Sequence, residues 1–181
     1  MMNTKMIIGV VVGGFLVFLW QFLSWAMLNL HGSEQKYTAE QDAILQMLGE
    51  NLPEEGTYFL PTFPPGTSSE DQQKMMEASS GKPWAQISYH KAMNTNMGMN
   101  MLRGFLTDIV AVFLLVWLLG KIPECTMGTS IMASVAVGVI GYLTTEYTNS
   151  IWFETNSMPD LIDALVSWTI CGTWLGYWMN R

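Results

Sequence analysis

The sequence predicts an all-α membrane protein: four transmembrane helices as a bundle, with a small extracytoplasmic α+β insertion. Three observations lead there. Four runs are long and apolar enough to cross a ~30 Å hydrocarbon core, which takes ~20 helical residues. They are Met6 to Leu30, Leu102 to Leu119, Met127 to Thr145 and Leu161 to Met179. The 181-residue chain is 50% hydrophobic and only 13% charged, where a soluble domain carries ~25% charge. Most of its acidic residues fall between the first two runs. The expected organisation is transmembrane helix one in 1–30, an acidic extracytoplasmic segment in 31–100, and helices two to four in 101–181.

Helix one begins after Lys5. Its apolar core exceeds the ~7–15 residues of a signal-peptide h-region, and no A-x-A-like site follows, so it reads as a retained helix. Gly9 and Gly13 form a G-x-x-x-G pair, which permits close helix approach. Trp20 and Trp25 follow towards the outer interface, where indole rings anchor helices.

In the outer segment, Thr38 to Gln41 reads as a capping box. It opens a short helix with Ile44, Leu45 and Leu48 on one face and Gly49 at its end. Thr57 to Phe63 reads as a strand, and Pro61 makes it an edge strand. Pro64, Pro65 and Gly66 form a turn. Ser69 to Gln72 is a second capping box, opening a helix to about Ala78. Trp84 to His90 alternates as a second strand, which can pair antiparallel with the first. Such a two-stranded sheet is marginal alone.

Helix two carries Asp108. Helix three places Ser130, Ser134, Gly138 and Gly141 at helical spacing on roughly one face, a surface for a neighbouring helix. Helix four has Ser157 as N-cap, Pro159 in its first turn and Asp160 complementing the helix dipole. It holds a second G-x-x-x-G pair, Gly172 and Gly176. Both pairs fall in the cytoplasmic half, so helices one and four are expected to cross closely there. The two halves also share a faint pattern. Gly14 to Trp25 can be laid on Gly141 to Trp152, and Phe105 to Val110 on Asp160 to Leu165, bringing Asp108 onto Asp163. That would make two repeated hairpins related by an axis along the membrane normal.

The net charge of −7 resides largely in Glu34, Glu40, Asp42, Glu50, Glu54, Glu55, Glu70, Asp71 and Glu77. No basic patch exists, which sets nucleic acid aside. Lys5, Lys121 and Arg181 flank the helices on one side, and the short loop Glu146 to Asp160 has no Lys or Arg, so both termini are expected in the cytoplasm. Cys125 and Cys171 lie outside the outer segment, and no disulfide is expected there.

Asp108 is the sharpest chemical feature. A carboxylate at the bilayer centre costs ~2.5–3.5 kcal/mol, less near an interface, which favours an inward-facing site with a partner. One reading is a proton or cation site with Asp163 as companion. The other is an ion pair that locks the bundle, with Arg103 as cation. The five-residue spacing is poor for a pair within one helix, so Arg103 would more easily meet Asp163, Glu146 or a lipid phosphate. A second candidate is the run His90, Met93, Met97, Met99 and Met101, because thioethers suit Cu(I). An extended strand would put Met97, Met99 and Met101 on one side. The plainer reading is methionine as apolar filler. No intramembrane histidine pair could ligate a haem, and no hydrolase, nucleophile-elbow or phosphate-loop motif occurs. No cofactor is expected and the enzyme class is disfavoured.

The order of features resembles that of small, uncharacterised four-helix membrane proteins from bacteria. The resemblance rests on FLWQFLSWAML ending helix one, EEGTYFLP and GKPWAQISY in the outer segment, and WFE…LIDALVSW at the start of helix four. It implies a bacterial inner-membrane location and no particular activity. The expected function is a non-catalytic accessory or scaffold subunit of a larger inner-membrane complex, with the lipid bilayer and other membrane subunits as partners. Alternatives are a small proton, cation or solute transporter or channel using Asp108 and Asp163, and copper handling by the methionine-rich run.

Overall fold

The structure, a computed structural model, describes residues 4–181, so the first three residues of segment 1–30 lie outside the described residues. In chain order the elements are α1 (Thr4–Phe22), a π-helical turn (Leu23–Met27), α2 (Gln41–Asn51), β1 (Gly56–Leu60), α3 (Ser69–Ser79), β2 (Ala85–Tyr89), α4 (Met97–Leu119), α5 (Met127–Tyr142), a second π-helical turn (Leu143–Tyr147), α6 (Thr148–Phe153) and α7 (Met158–Met179). Two compact units result. One joins the residues up to Lys36 with Asn96–Arg181, and the other is Tyr37–Thr95.

Three helical stretches, Thr4–Met27, Met97–Leu119 and Met127–Phe153, are long and apolar enough to cross a membrane. The fourth expected run is also a helix, α7. Its tryptophans, threonines, glycines and Asp163 leave it less apolar than those three.

Several bounds differ from expectation for identifiable reasons. Asn96 caps α4 by accepting from the Met99 backbone N–H at 3.1 Å, so the helix begins at Met97. Met97, Met99 and Met101 are therefore helical, not extended. Met97 and Met101 share a face, while Met99 points elsewhere. The segment expected as a loop from Glu146 to Asp160 is helical as far as Phe153. Threonine hydroxyls support this stretch by donating back to carbonyls: Thr145 to Gly141 at 2.6 Å and Thr148 to Leu143 at 2.8 Å. Glu154, left-handed at φ 53°, ends it. Ser157 holds the N-cap position of α7 but makes no capping bond. Its hydroxyl pairs with the Tyr142 hydroxyl at 3.0 Å, and Asn156 Oδ1 accepts from the Met158 N–H instead.

Within the helical unit, α1 packs against both α4 and α7, and α7 packs against α5, whereas α4 and α5 scarcely touch. The lateral order is α4–α1–α7–α5. Val10, Val17, Val112, Leu115, Val116, Leu119, Cys171 and Leu175 form the core. Lipid is as apolar as these side chains, so close packing and hydrogen bonds must hold the helices together. Glycines permit that approach. A Cβ at Gly14 would lie 2.7 Å from Ile109 Cδ1 and 3.1 Å from the Ile109 backbone. Two α7 indoles donate to α1 carbonyls: Trp178 to Lys5 at 2.8 Å and Trp174 to Gly9 at 3.2 Å.

The two G-x-x-x-G pairs do not meet in one crossing. Gly9 and Gly13 face α7 through Trp178, Leu175, Cys171 and Trp174, and Gly13 also faces Val112. Gly172 and Gly176 face α5 through Ser134, Ile131 and Met127. The reason is that α7 has two neighbours and shows each a different face. Ser130, Ser134 and Gly138 are buried as one α5 stripe, with Gly138 against Trp168. Gly141 leaves that stripe, and a Cβ there would meet nothing within 4 Å. The repeat pairing of Gly14 with Gly141 would carry Leu23 onto Ser150, out of register with the second π-helical turn at Leu143–Tyr147.

In the unit Tyr37–Thr95, β1 and β2 pair antiparallel with Gly56 opposite Tyr89 and Leu60 opposite Ala85. β1 stops before Pro61, which has no N–H to offer the ladder. Neither capping box forms as expected. The Thr38 hydroxyl accepts from the nearby Glu40 N–H, a local turn that takes it away from the helix, and α2 starts without a side-chain cap. α2 also runs past Gly49 to Asn51 before Pro53. The cap of α3 is Ser68, whose Oγ accepts from the Asp71 N–H and donates to its carboxylate at 2.7 Å. None of the described residues of Tyr37–Thr95 is buried.

Candidate functional site

Because α4 and α5 stand apart, the helical unit has a groove of about 780 Å³ on that side. Leu114 and Leu118 of α4, Val137 and Gly141 of α5, and Trp168 of α7 make its wall apolar. Glu146, Asp160 and Asp163 contribute carboxylates to the same groove. They lie at the end where α5 finishes and α7 begins.

A histidine cluster organises that end. After the π-helical turn the chain folds back: the Leu30 N–H donates to Ser24 at 3.1 Å, Asn29 takes a left-handed conformation at φ 49°, and the Gly32 N–H donates to Asn29. This reversal inserts His31, which is 3% exposed. Its Nε2 lies 3.0 Å from Asp163 Oδ2 and its Nδ1 lies 3.2 Å from Glu34 Oε2. Trp25 stacks on the ring, with centroids 4.0 Å apart and planes within 5°. Trp20 Nε1 donates to the other Asp163 oxygen at 2.9 Å. Both ring nitrogens face carboxylates, and only the imidazolium can donate from both. Burial works against that charge, yet the bonds to Asp163 and Glu34 outweigh it and raise the His31 pKa above its ordinary 6.5.

Asp108 is buried on the side of α4 that meets α1. Gln21 Nε2 donates to its Oδ1 at 3.2 Å, while Oδ2 is buried without a partner. Adjacent α1 residues thus reach the two aspartates, Trp20 to Asp163 and Gln21 to Asp108. The aspartates share no hydrogen bond with each other among the described residues. Arg103 is exposed and forms no ion pair with Asp108, Asp163 or Glu146 among the described residues. The buried basic partner of Asp163 is His31, whereas Arg103 is exposed on α4.

His90 and Met93 belong to the unit Tyr37–Thr95, and Met97, Met99 and Met101 to α4. Met93 is 91% exposed. Among the described residues, no group of three or more His, Cys, Asp or Glu is arranged to hold a metal ion. Cys125 and Cys171 are free thiols.

The sequence reading missed Trp20, Gln21, Trp25, His31 and Glu34 as parts of one site. Beyond the interfacial anchoring that their position suggests, Trp20 bonds Asp163 and Trp25 covers His31. The available signal was His31 followed three residues later by Glu34, just beyond a tryptophan pair. The arrangement can stabilise positive charge at one end of an apolar groove. No known family model, curated protein or solved structure matches the chain.

Proposed function

We propose that the protein is a non-catalytic accessory or scaffold subunit of a larger bacterial inner-membrane complex. In this reading α7 is a fourth span, both termini are cytoplasmic, and Tyr37–Thr95 is the extracytoplasmic insertion that contacts the partner. The observation that carries it is the absence of a buried residue in that unit. A two-stranded sheet flanked by short helices has little stability without an apolar core. Tyr37 and Leu45 are 82% and 60% exposed, and Met76, Phe59 and Trp84 add further apolar surface. Covering such surface is what a partner subunit does. Transport along a path shared by Asp108 and Asp163 is less favoured, because each is tied to a different α1 residue.

The test is purification from native membranes in mild detergent. A stoichiometric partner is expected, lost when Tyr37–Thr95 is replaced by a short glycine-serine linker. A lone chain or a homo-oligomer would remove the reading.

A further inference from the structure

We propose that the α4/α5 groove is a binding site for a phospholipid with a primary-amine headgroup, such as phosphatidylethanolamine. The groove is apolar along the helices and open sideways where α4 and α5 scarcely touch. An occupant can therefore arrive from the bilayer. Of its three carboxylates, Asp163 is engaged by His31 and Trp20, and the other two have no internal partner among the described residues. Among the described residues, neither Glu146 nor Asp160 accepts a hydrogen bond or joins an ion pair, and Asp160 lies in the field of Glu146, Glu34 and Asp163, against which His31 is the one opposing charge. His31 is engaged by Asp163 and Glu34. The remaining negative charge calls for a cation at this end.

A cation of opposite position is not the whole requirement, because Arg103 completes a second half of the headgroup. Thr107 and Arg103 do not line the groove themselves; they are exposed one and two turns before Ala111 on α4, and helical spacing sets them beside the face that does. Phe18 packs edge-on to Phe105 with centroids 5.7 Å apart, which sets this end of α4 beside the end of α1 that carries Trp25. Among the described residues Arg103 has no ion-pair partner, and it offers its guanidinium at the same end as Glu146 and Asp160. A zwitterionic headgroup meets both signs: its phosphate suits the arginine fork, and its ammonium suits the two carboxylates. A primary ammonium has three N–H donors; a quaternary choline has none. An acyl chain follows the apolar wall past Leu114 and Leu118.

The test loads the full chain, in detergent, with equal amounts of phosphatidylethanolamine, phosphatidylcholine and phosphatidylglycerol. Retained lipid is read by native mass spectrometry. Retention of the ethanolamine lipid is expected to exceed each of the others by about tenfold, as charge-assisted hydrogen bonds to the ammonium imply. Glu146→Gln with Asp160→Asn is expected to abolish that preference, and Arg103→Gln to reduce retention of all three. Gly141→Leu guards against a folding artefact, because its side chain enters open space. It is expected to leave thermal stability unchanged and to empty the groove. Equal retention of the three lipids, or undiminished retention in Gly141→Leu, would overturn the proposal. So would a photoreactive residue at Leu118 that captures a second copy or another polypeptide instead of lipid.

Discussion

The two units of this chain solve the problem of stability in opposite ways. The helical unit spends its sequence on close approach: glycines at backbone contacts, indoles on carbonyls, and a histidine held between two carboxylates. The unit Tyr37–Thr95 relies on local devices, a capped helix, a five-pair ladder and i,i+4 side-chain bonds, with nothing buried. Local devices contribute only ~0.2–1 kcal/mol each. The comparison teaches that hydrophobic content does not locate the core. The unit Tyr37–Thr95 has many apolar side chains, but they are exposed.

That contrast can be broken by mutation. The largest effect is expected for Gly172→Leu. A Cβ alone would lie 2.7 Å from Ser134 Oγ and 2.9 Å from the Ile131 Cα. The backbone contact cannot yield as a side chain can, so a loss of about 3 kcal/mol is expected, read as thermal unfolding in detergent. A wild-type midpoint would show that α5 and α7 are not packed this closely.

Asp163→Ala comes next. It removes the acceptor for both His31 and Trp20 and should cost about 2 kcal/mol, since a buried donor left unsatisfied costs ~1–3 kcal/mol. Asp163→Asn keeps an acceptor and should cost less. Equal losses in the two variants would place the energy in packing rather than hydrogen bonding.

The pH dependence is smaller. The folded His31 pKa lies above 6.5. Its contribution is therefore full below the unfolded value and is lost as pH rises through the folded one. The melting midpoint of the helical unit should fall as pH is raised above 6.5, and His31→Gln should remove that component. A slope that survives the substitution would assign the effect to other groups.

The smallest effect is expected in the unit Tyr37–Thr95. Leu45→Gln should change the stability of the purified chain by less than about 0.5 kcal/mol, as for an exposed site, yet weaken partner capture. A large loss of intrinsic stability would show that Leu45 belongs to a hidden core.

Much of the fold was legible in the sequence because it depends on local pattern. The apolar runs, the two strands and the sites of the glycine pairs follow from composition and spacing. What failed depends on distant neighbours or on competing local bonds. Nothing in Gly172 and Gly176 says that they face α5, because that is set by α7 having two neighbours. The helix through Glu146 to Phe153 was hidden by its polar residues, whose hydroxyls bond within the helix. Asp108 and Asp163 stood out as carboxylates in apolar runs. His31 did not, because its main partner is supplied by α7, at the far end of the sequence. Arg103 was the obvious cation only while the face it occupies was unknown.

The lateral order α4–α1–α7–α5 also bears on biogenesis. α7 is made after α1, α4 and α5, yet it belongs in the middle, since it bridges α1 and α5. Until it arrives, α1 and α4 can associate, but α5 has scarcely any neighbour. A chain that ends before Cys171 would lose the Gly172 and Gly176 contacts with α5 and would deny Lys5 and Gly9 their indole donors. Assembly of the helical unit is therefore completed by insertion of a wedge rather than by addition to an edge.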